Sequence, residues 1–179
     1  MSERIVVAPR IETERLILRE FRVEDFDAYC AIFANPDVAH FTGGAITDRS
    51  AAWEKFARGP GFWALFGYGL WIVEEKGSGR FAGNVGFGQF ERGIEPPLPG
   101  VPEAAWVLDA WAHGKGFAHE AMSAALAWCD RHIGSDQVCI ISPDNRASLK
   151  LADKLGFRET RRAPFKGEPT IVLERPGPR

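Results

Sequence analysis

Hydrophobic positions along the chain fall into two rhythms, one of period two and one near 3.6, and their alternation lays out the elements. Residues 15–21, Arg-Leu-Ile-Leu-Arg-Glu-Phe, alternate and are rich in branched aliphatics, which predicts a first strand. Acids then open a helix at Val23-Glu-Asp-Phe26, and Phe26, Tyr29, Cys30 and Phe33 recur at i, i+3, i+4 and i+7 until Asn35-Pro36 stops it. A second helix is expected from a Thr47 or Asp48 cap through Ala51, Trp53 and Phe56 to Gly59-Pro60. Residues 70–75 and 80–90 read as antiparallel strands joined by the turn Lys76-Gly77-Ser78-Gly79. The Pro- and Gly-rich stretch 91–102 reads as a surface loop before a strand at 103–108.

In the second half, Ala118, Met122, Ala125, Cys129 and Ile133 share one helical face that Gly134 ends. Residues 137–142 form an apolar strand, and Pro143-Asp-Asn-Arg starts a helix carrying Leu149, Ala152 and Leu155 that Gly156 closes. Strands over 157–163 and 170–174 finish the chain. The order β-α-α-β-β-β-α-β-α-β-β implies a mixed α+β fold, with a mostly antiparallel sheet that becomes parallel where right-handed β-α-β crossovers occur. One domain over residues 1–179 is expected, with residues 1–10 a loose arm.

Composition narrows the function classes. The 179 residues are 45% hydrophobic and 26% charged, with a net charge of -2, so no basic footprint for nucleic acid is present beyond the small group Arg158, Arg161 and Arg162. Cys30, Cys129 and Cys139 are odd in number and lack C-x-x-C spacing, which points to free thiols in a reducing cytoplasm and to no metal site. No apolar run is long enough for a signal peptide or a membrane span, so a cytoplasmic protein is expected.

The candidate chemistry lies in His113-Gly114-Lys115-Gly116-Phe117-Ala118, a glycine-relieved turn that opens a helix right after a strand. Free N–H groups and the positive end of the helix dipole converge there, and Lys115 adds charge at the rim, so the turn is built for an anion such as a pyrophosphate. A nucleotide P-loop would require Ser or Thr after the lysine, where this chain has Gly116. A Rossmann turn would require a third glycine or alanine where His119 stands, and Asp136 lies too early in the next strand to meet a ribose. Residues 83–88, Gly-Asn-Val-Gly-Phe-Gly, sit in an alternating pattern and read as a bulged or hairpin strand. His119-Glu120 lacks the second histidine of a zinc H-E-x-x-H.

The same six residues resemble the coenzyme A pattern [Q/R]-x-x-G-x-[G/A] of the GCN5-related N-acetyltransferases (GNAT), with His113 in place of the first Gln or Arg. Thr13-Glu-Arg-Leu-Ile-Leu-Arg19 with Glu24-Asp25, and Trp106-Val-Leu-Asp109, resemble the RimJ/RimL-like branch that acetylates ribosomal-protein N-termini. Asn145-Arg-Ala-Ser148 and Lys154-Leu-Gly-Phe157 resemble later elements of the family. The resemblance implies a GNAT sheet splayed between the fourth and fifth strands, about four flanking helices, and acetyl transfer from acetyl-CoA to a primary amine within a ternary complex. It implies that the amides of His113, Gly114, Lys115, Gly116, Phe117 and Ala118 hold the pyrophosphate, with Lys115 and Lys154 as possible ion pairs. The backbone of Trp106, Val107 and Leu108 would pair with pantetheine, and the Leu108 N–H would meet the acyl oxygen. Glu103 is the candidate general base, because an ammonium has no lone pair and must lose a proton. The family's acid tyrosine is absent, with Ala152 at its place, and Ser142 or Ser148 is the candidate substitute; Asn145 either bonds pantetheine or caps a helix, or does both. Trp53, Phe62 and Trp63 either wall an acceptor cleft or pack in the core, and loop 91–102 either borders that cleft or makes a dimer contact. A protein N-terminus or a small-molecule amine is the expected partner of a monomer or homodimer. An acyl-CoA-binding module without turnover is the alternative, and a dinucleotide oxidoreductase is a third.

Overall fold

The computed structural model describes residues 5–179. Eight strands form one sheet in the order β1-β2-β3-β4-β5-β6-β8-β7. They are β1 (Ile11–Glu12), β2 (Leu16–Arg19), β3 (Leu70–Glu75), β4 (Phe81–Gly88), β5 (Glu103–Leu108), β6 (Gln137–Ile141), β7 (Arg158–Phe165) and β8 (Glu168–Arg175). The helices are α1 (Phe26–Ala34), α2 (Pro36–Ala39), α3 (Arg49–Phe66), α4 (Phe117–His132) and α5 (Arg146–Lys154). Every strand pair is antiparallel except β5 and β6, whose parallel register consists of the single pair Glu103 and Val138. The splay therefore falls between the two segments expected to flank it. Their numbers rise by one because the two-residue β1 adds a strand.

Alternation along β5 separates the two faces of the sheet. Ala104 and Leu108 join a core with Met122, Ala125 and Cys129 of α4, while Val107 packs with Tyr29, Phe33 and Phe56 of α1 and α3 on the opposite face. On that opposite face the loop before β5 also lies down, with Ile94 buried against Val138 of β6 and Val172 of β8. Gly83 lets β4 approach β5, since a Cβ there would strike the Val107 carbonyl.

Several sequence expectations are corrected. Helix α3 runs through Gly59-Pro60 to Phe66, because Phe62 and Trp63 are buried and their packing outweighs the local breaking tendency. Asn35-Pro36 ends α1 but also begins α2: Asn35 Oδ1 accepts from the Asp37 N–H, and Pro36 suits a first helical position. The loose arm expected over residues 1–10 lies outside the described residues for 1–4. Beyond them it is anchored, since Ala8 is buried and Trp71 Nε1 donates to the Pro9 carbonyl at 2.8 Å. All three cysteines are free thiols, Cys129 and Cys139 buried and Cys30 partly so. Among the described residues no helix is long and apolar enough to cross a membrane.

Candidate active site

The site begins on β5. The Asp109 N–H donates to the Ala82 carbonyl at 2.9 Å, and the Val138 N–H donates to the Pro102 carbonyl at 3.1 Å. Main-chain groups alternate sides along a strand, so those of Trp106 and Leu108 face β6. The β6 register stops at Glu103, which leaves this edge of β5 open from Trp106 onward. The His113 ring closes the end of the edge: its Nε2 lies 2.9 Å from the Leu108 carbonyl, which can only accept, so Nε2 carries the hydrogen. The His113 side chain thus serves the turn, and its N–H donates to the Ala110 carbonyl at 3.1 Å, so the His113 amide expected to hold a pyrophosphate is already spent.

Past a short 3-10 turn at Ala110–Ala112, the chain enters the glycine turn. Gly114 and Gly116 have φ of 72° and 80°, the left-handed region that glycine enters without steric penalty. Gly116 caps α4 with no side-chain hydrogen bond, and the first helical bond runs from the Glu120 N–H to the Gly116 carbonyl at 3.0 Å. Among the described residues, the N–H groups of Gly114, Lys115, Gly116, Phe117, Ala118 and His119 have no protein acceptor. Six successive unpaired donors at the start of a 16-residue helix form an anion cradle. Lys115 Nζ and the Arg80 guanidinium lie 4.6 Å and 4.3 Å from the Trp111 ring centroid, which holds two cations beside this turn.

Two residues not singled out from sequence brace the cradle. Arg15 donates to the Lys115 carbonyl at 2.9 Å and pairs with Glu120 at 2.7 Å. Glu120 also accepts from the Thr13 hydroxyl at 2.6 Å and the Arg15 N–H at 2.8 Å. Burial pushes the Glu120 carboxyl up, but these hydrogen bonds and the Arg15 charge outweigh it and hold the group below the usual carboxylate range. An acid in the first turn of α4 was the available sequence signal. Its partners, about a hundred residues earlier, were not.

Across the gap, Trp106 Nε1 donates to Ser148 Oγ at 3.2 Å, and the Ser148 N–H donates to Asn145 Oδ1 at 3.1 Å. Asn145 is therefore the cap of α5, and Trp106, Ser148 and Asn145 form one chain spanning the splay. Ser142 stays outside this chain, its Oγ accepting from the Asp144 N–H at 3.3 Å.

Glu103 is neither a solvated loop-end residue nor free. It is 4% exposed, and both of its oxygens accept from Arg92, the shortest contact being 2.7 Å. Burial pushes its pKa up, the Arg92 hydrogen bonds and charge pull it back, and the net result is raised. Glu103 and Arg92 line a cavity of about 300 Å³ beneath loop residues including Ile94 and Leu98.

Of the three aromatics expected either to wall an acceptor cleft or to pack in the core, Phe62 and Trp63 are core and Trp53 stands apart from them. Trp63 is core, 1% exposed, edge-on to Trp71 and Trp128 and donating to the Leu70 carbonyl at 2.9 Å. Phe62 is buried against Phe90, and Trp53 is exposed on the outer side of α3 over Phe26.

These features match a known family. Residues 15–158 match the acetyltransferase (GNAT) domain model, and the chain belongs to that family. It is similar to a GNAT-family acetyltransferase from Bordetella pertussis, with 33% identity over 94% of this chain and 99% of that one and a TM-score of 0.85. It is also similar to the N-acetyltransferase YoaA of Bacillus subtilis, with 28% identity over 84% of each chain. RimL, a ribosomal α-N-protein acetyltransferase in complex with coenzyme A, shares the fold at a TM-score of 0.77 and 16% identity over 94% of this chain and 98% of that one. The protein is thus an acyl-CoA-dependent N-acetyltransferase of a family that uses acetyl-CoA. Its unpaired amides and open strand edge fit that group.

Proposed function

We propose that the protein transfers the acetyl group of acetyl-CoA to a primary amine, either a protein N-terminus or a small-molecule amine, by direct attack with both substrates bound. The observation that carries this reading is the open β5 edge running into six unpaired amides at the start of α4. The amides of Gly114 to His119 hold the diphosphate, with Lys115 adding charge at the rim. The main chain of Trp106 to Leu108 pairs with pantetheine as a further strand would, and Asn145 and Ser148 bound it from across the gap. Acetyl-CoA supplies an acyl carbon activated by its thioester.

Leu108 lies next to the turn and so pairs with the pantetheine arm; the Trp106 N–H, which also faces the gap and lies farther from the diphosphate, is the donor that meets the acyl oxygen as negative charge builds there, in place of the Leu108 N–H expected from the sequence. Glu103 accepts the proton of the incoming ammonium, and its raised pKa brings it toward the working pH of a base. Three residue steps of strand run from Glu103 to Trp106, about 10 Å, so the proton travels through water, for which the adjoining cavity has room. Of the two serines, Ser148 is the one beside the edge, and its hydroxyl hydrogen is available to the departing sulfur. Within the family we place the chain near the RimJ/RimL-like branch, on the motifs at Thr13–Arg19 and Trp106–Asp109.

Thiol release from acetyl-CoA, measured over a panel of peptides and amines, tests the reading. Acceptor-dependent release is expected; tight CoA binding without it would identify an acyl-CoA-binding module instead. Glu103→Gln should lower kcat by about a hundredfold with little change in CoA affinity. In the native protein the rate should fall as pH drops through the raised Glu103 pKa, and this limb should vanish in the variant. A rate and pH profile identical to the native protein's would remove Glu103 from the mechanism.

A further inference from the structure

On the face of the sheet opposite α4, four cations lie on elements that pack over β5 and β6. Lys55 of α3 lays its Nζ 4.0 Å from the Phe33 ring centroid, and Phe33 belongs to the cluster that Val107 of β5 packs against. Arg92, from the loop, sits 4.4 Å from the Phe90 ring and 5.7 Å from the Phe165 ring. Lys166, at the β7–β8 tip, lies 5.5 Å from the same Phe165 ring. Arg58, one turn beyond Lys55, joins Arg92 and Lys166 in acting on the Lys55 charge.

Only Arg92 has a carboxylate partner, Glu103. Among the described residues none lies within ion-pair distance of Lys55, Arg58 or Lys166, and the loop acids Glu91 and Glu95 pair with none of them. Exposed lysines ordinarily spread into water. Here Arg92 and Lys166 share the Phe165 ring, Lys166 Nζ comes within 4.0 Å of where a Gly43 Cβ would stand, in the turn after α2, and Lys55 is half-buried over Phe33 of α1. Burial first, and then Arg58, Arg92 and Lys166, lower its pKa to about 8, so its charge is held at a cost that a bound anion would offset.

We propose that the acceptor is an amine bearing carboxylate groups, held by Lys55 and Lys166 with Arg92 and Arg58 beside them, while its amino group faces β5. The inference rests on the acetyltransferase reading. It excludes polyamines and basic peptides as preferred acceptors, because among the described residues the four cations have a single carboxylate partner and repel such acceptors.

The test compares kcat/KM for glutamate, aspartate and peptides beginning with them against the matching side-chain amides and spermidine. The acidic acceptors should be favoured by about ten- to a hundredfold, and Lys55→Met and Lys166→Met should each drive the acid-to-amide ratio toward one, through KM. Comparing free amino acids with peptides tells which source presents the carboxylate. A second readout is calorimetric binding of glutarate to the CoA-loaded protein, lost in the double variant. Turnover of amides equal to acids would overturn the anionic acceptor and leave the acetyltransferase reading standing. No thiol release with any amine would overturn that reading instead, and glutarate binding would then still decide the anion site: lysine-dependent binding supports it, and none refutes it.

Discussion

Gly116 holds two roles in one residue. Its φ of 80° turns the chain into α4, and it also contributes one of the unpaired amides of the cradle. A Cβ at this position would come within 3.4 Å of the Arg15 guanidinium and would force a left-handed conformation costing about 1–2 kcal/mol. Gly116→Ala therefore measures strain alone, while Gly116→Glu adds a carboxylate where an anion is to bind and offers Arg15 a competing partner. CoA affinity should fall modestly in the alanine variant and by at least a further tenfold in the glutamate variant, about 1.4 kcal/mol, as read by calorimetry. Equal affinity in the two would mean that no anion approaches this turn.

At the scale of elements, the brace between the β1–β2 corner and the first turn of α4 decides how firmly the cradle is held. Glu120 accepts from the Thr13 hydroxyl and from Arg15, and Arg15 also reaches the Lys115 carbonyl. Because the Glu120 pKa is lowered on folding, its contribution is full above the ordinary carboxylate range and is lost as pH falls through the lowered value. Glu120→Gln should cost about 1–2 kcal/mol near neutrality, leave a smaller penalty in acid, and weaken CoA binding; denaturant melts at several pH values check the sign. What the sequence could disclose follows the same division between local and distant. The turn at Gly114 and Gly116 was legible because its backbone demand is met by neighbouring residues, and α1 was legible because Phe26, Tyr29 and Phe33 lie on one face and are buried. The course of α3 through Pro60 was hidden, since only burial of Phe62 and Trp63 against distant partners sustains it. The brace and the cation cluster were hidden for the same reason: Arg15 meets Glu120 across 105 residues, and the cluster draws on α3, the loop and the β7–β8 tip. Whether Trp53, Phe62 and Trp63 wall a cleft or pack in the core stays open in the sequence, because composition distinguishes neither core from surface nor one face of a helix from another.

For the molecule as a whole, the splay sets a linkage between binding and stability. The two halves of the sheet meet through one β5–β6 register pair and the core beneath α4, so a molecule seated between β5, the α4 turn and the Asn145–Ser148 cap touches elements from both halves. Such a ligand binds the folded protein and not the unfolded chain, and at a hundred times its Kd it adds about 2.7 kcal/mol. For a domain of this length that corresponds to a rise in Tm of about 5–11 °C. Acetyl-CoA and CoA should both produce this rise as a single shifted transition, because the halves share the core through Ala104, Leu108 and Ile141. NAD and NADP should leave Tm where it is, as the turn lacks the third glycine and the acid that a dinucleotide would use. A Tm unmoved by acetyl-CoA would mean that the folded protein does not bind it, and a rise of equal size in Gly116→Glu would place the cofactor elsewhere; either removes the physical basis for transfer along β5.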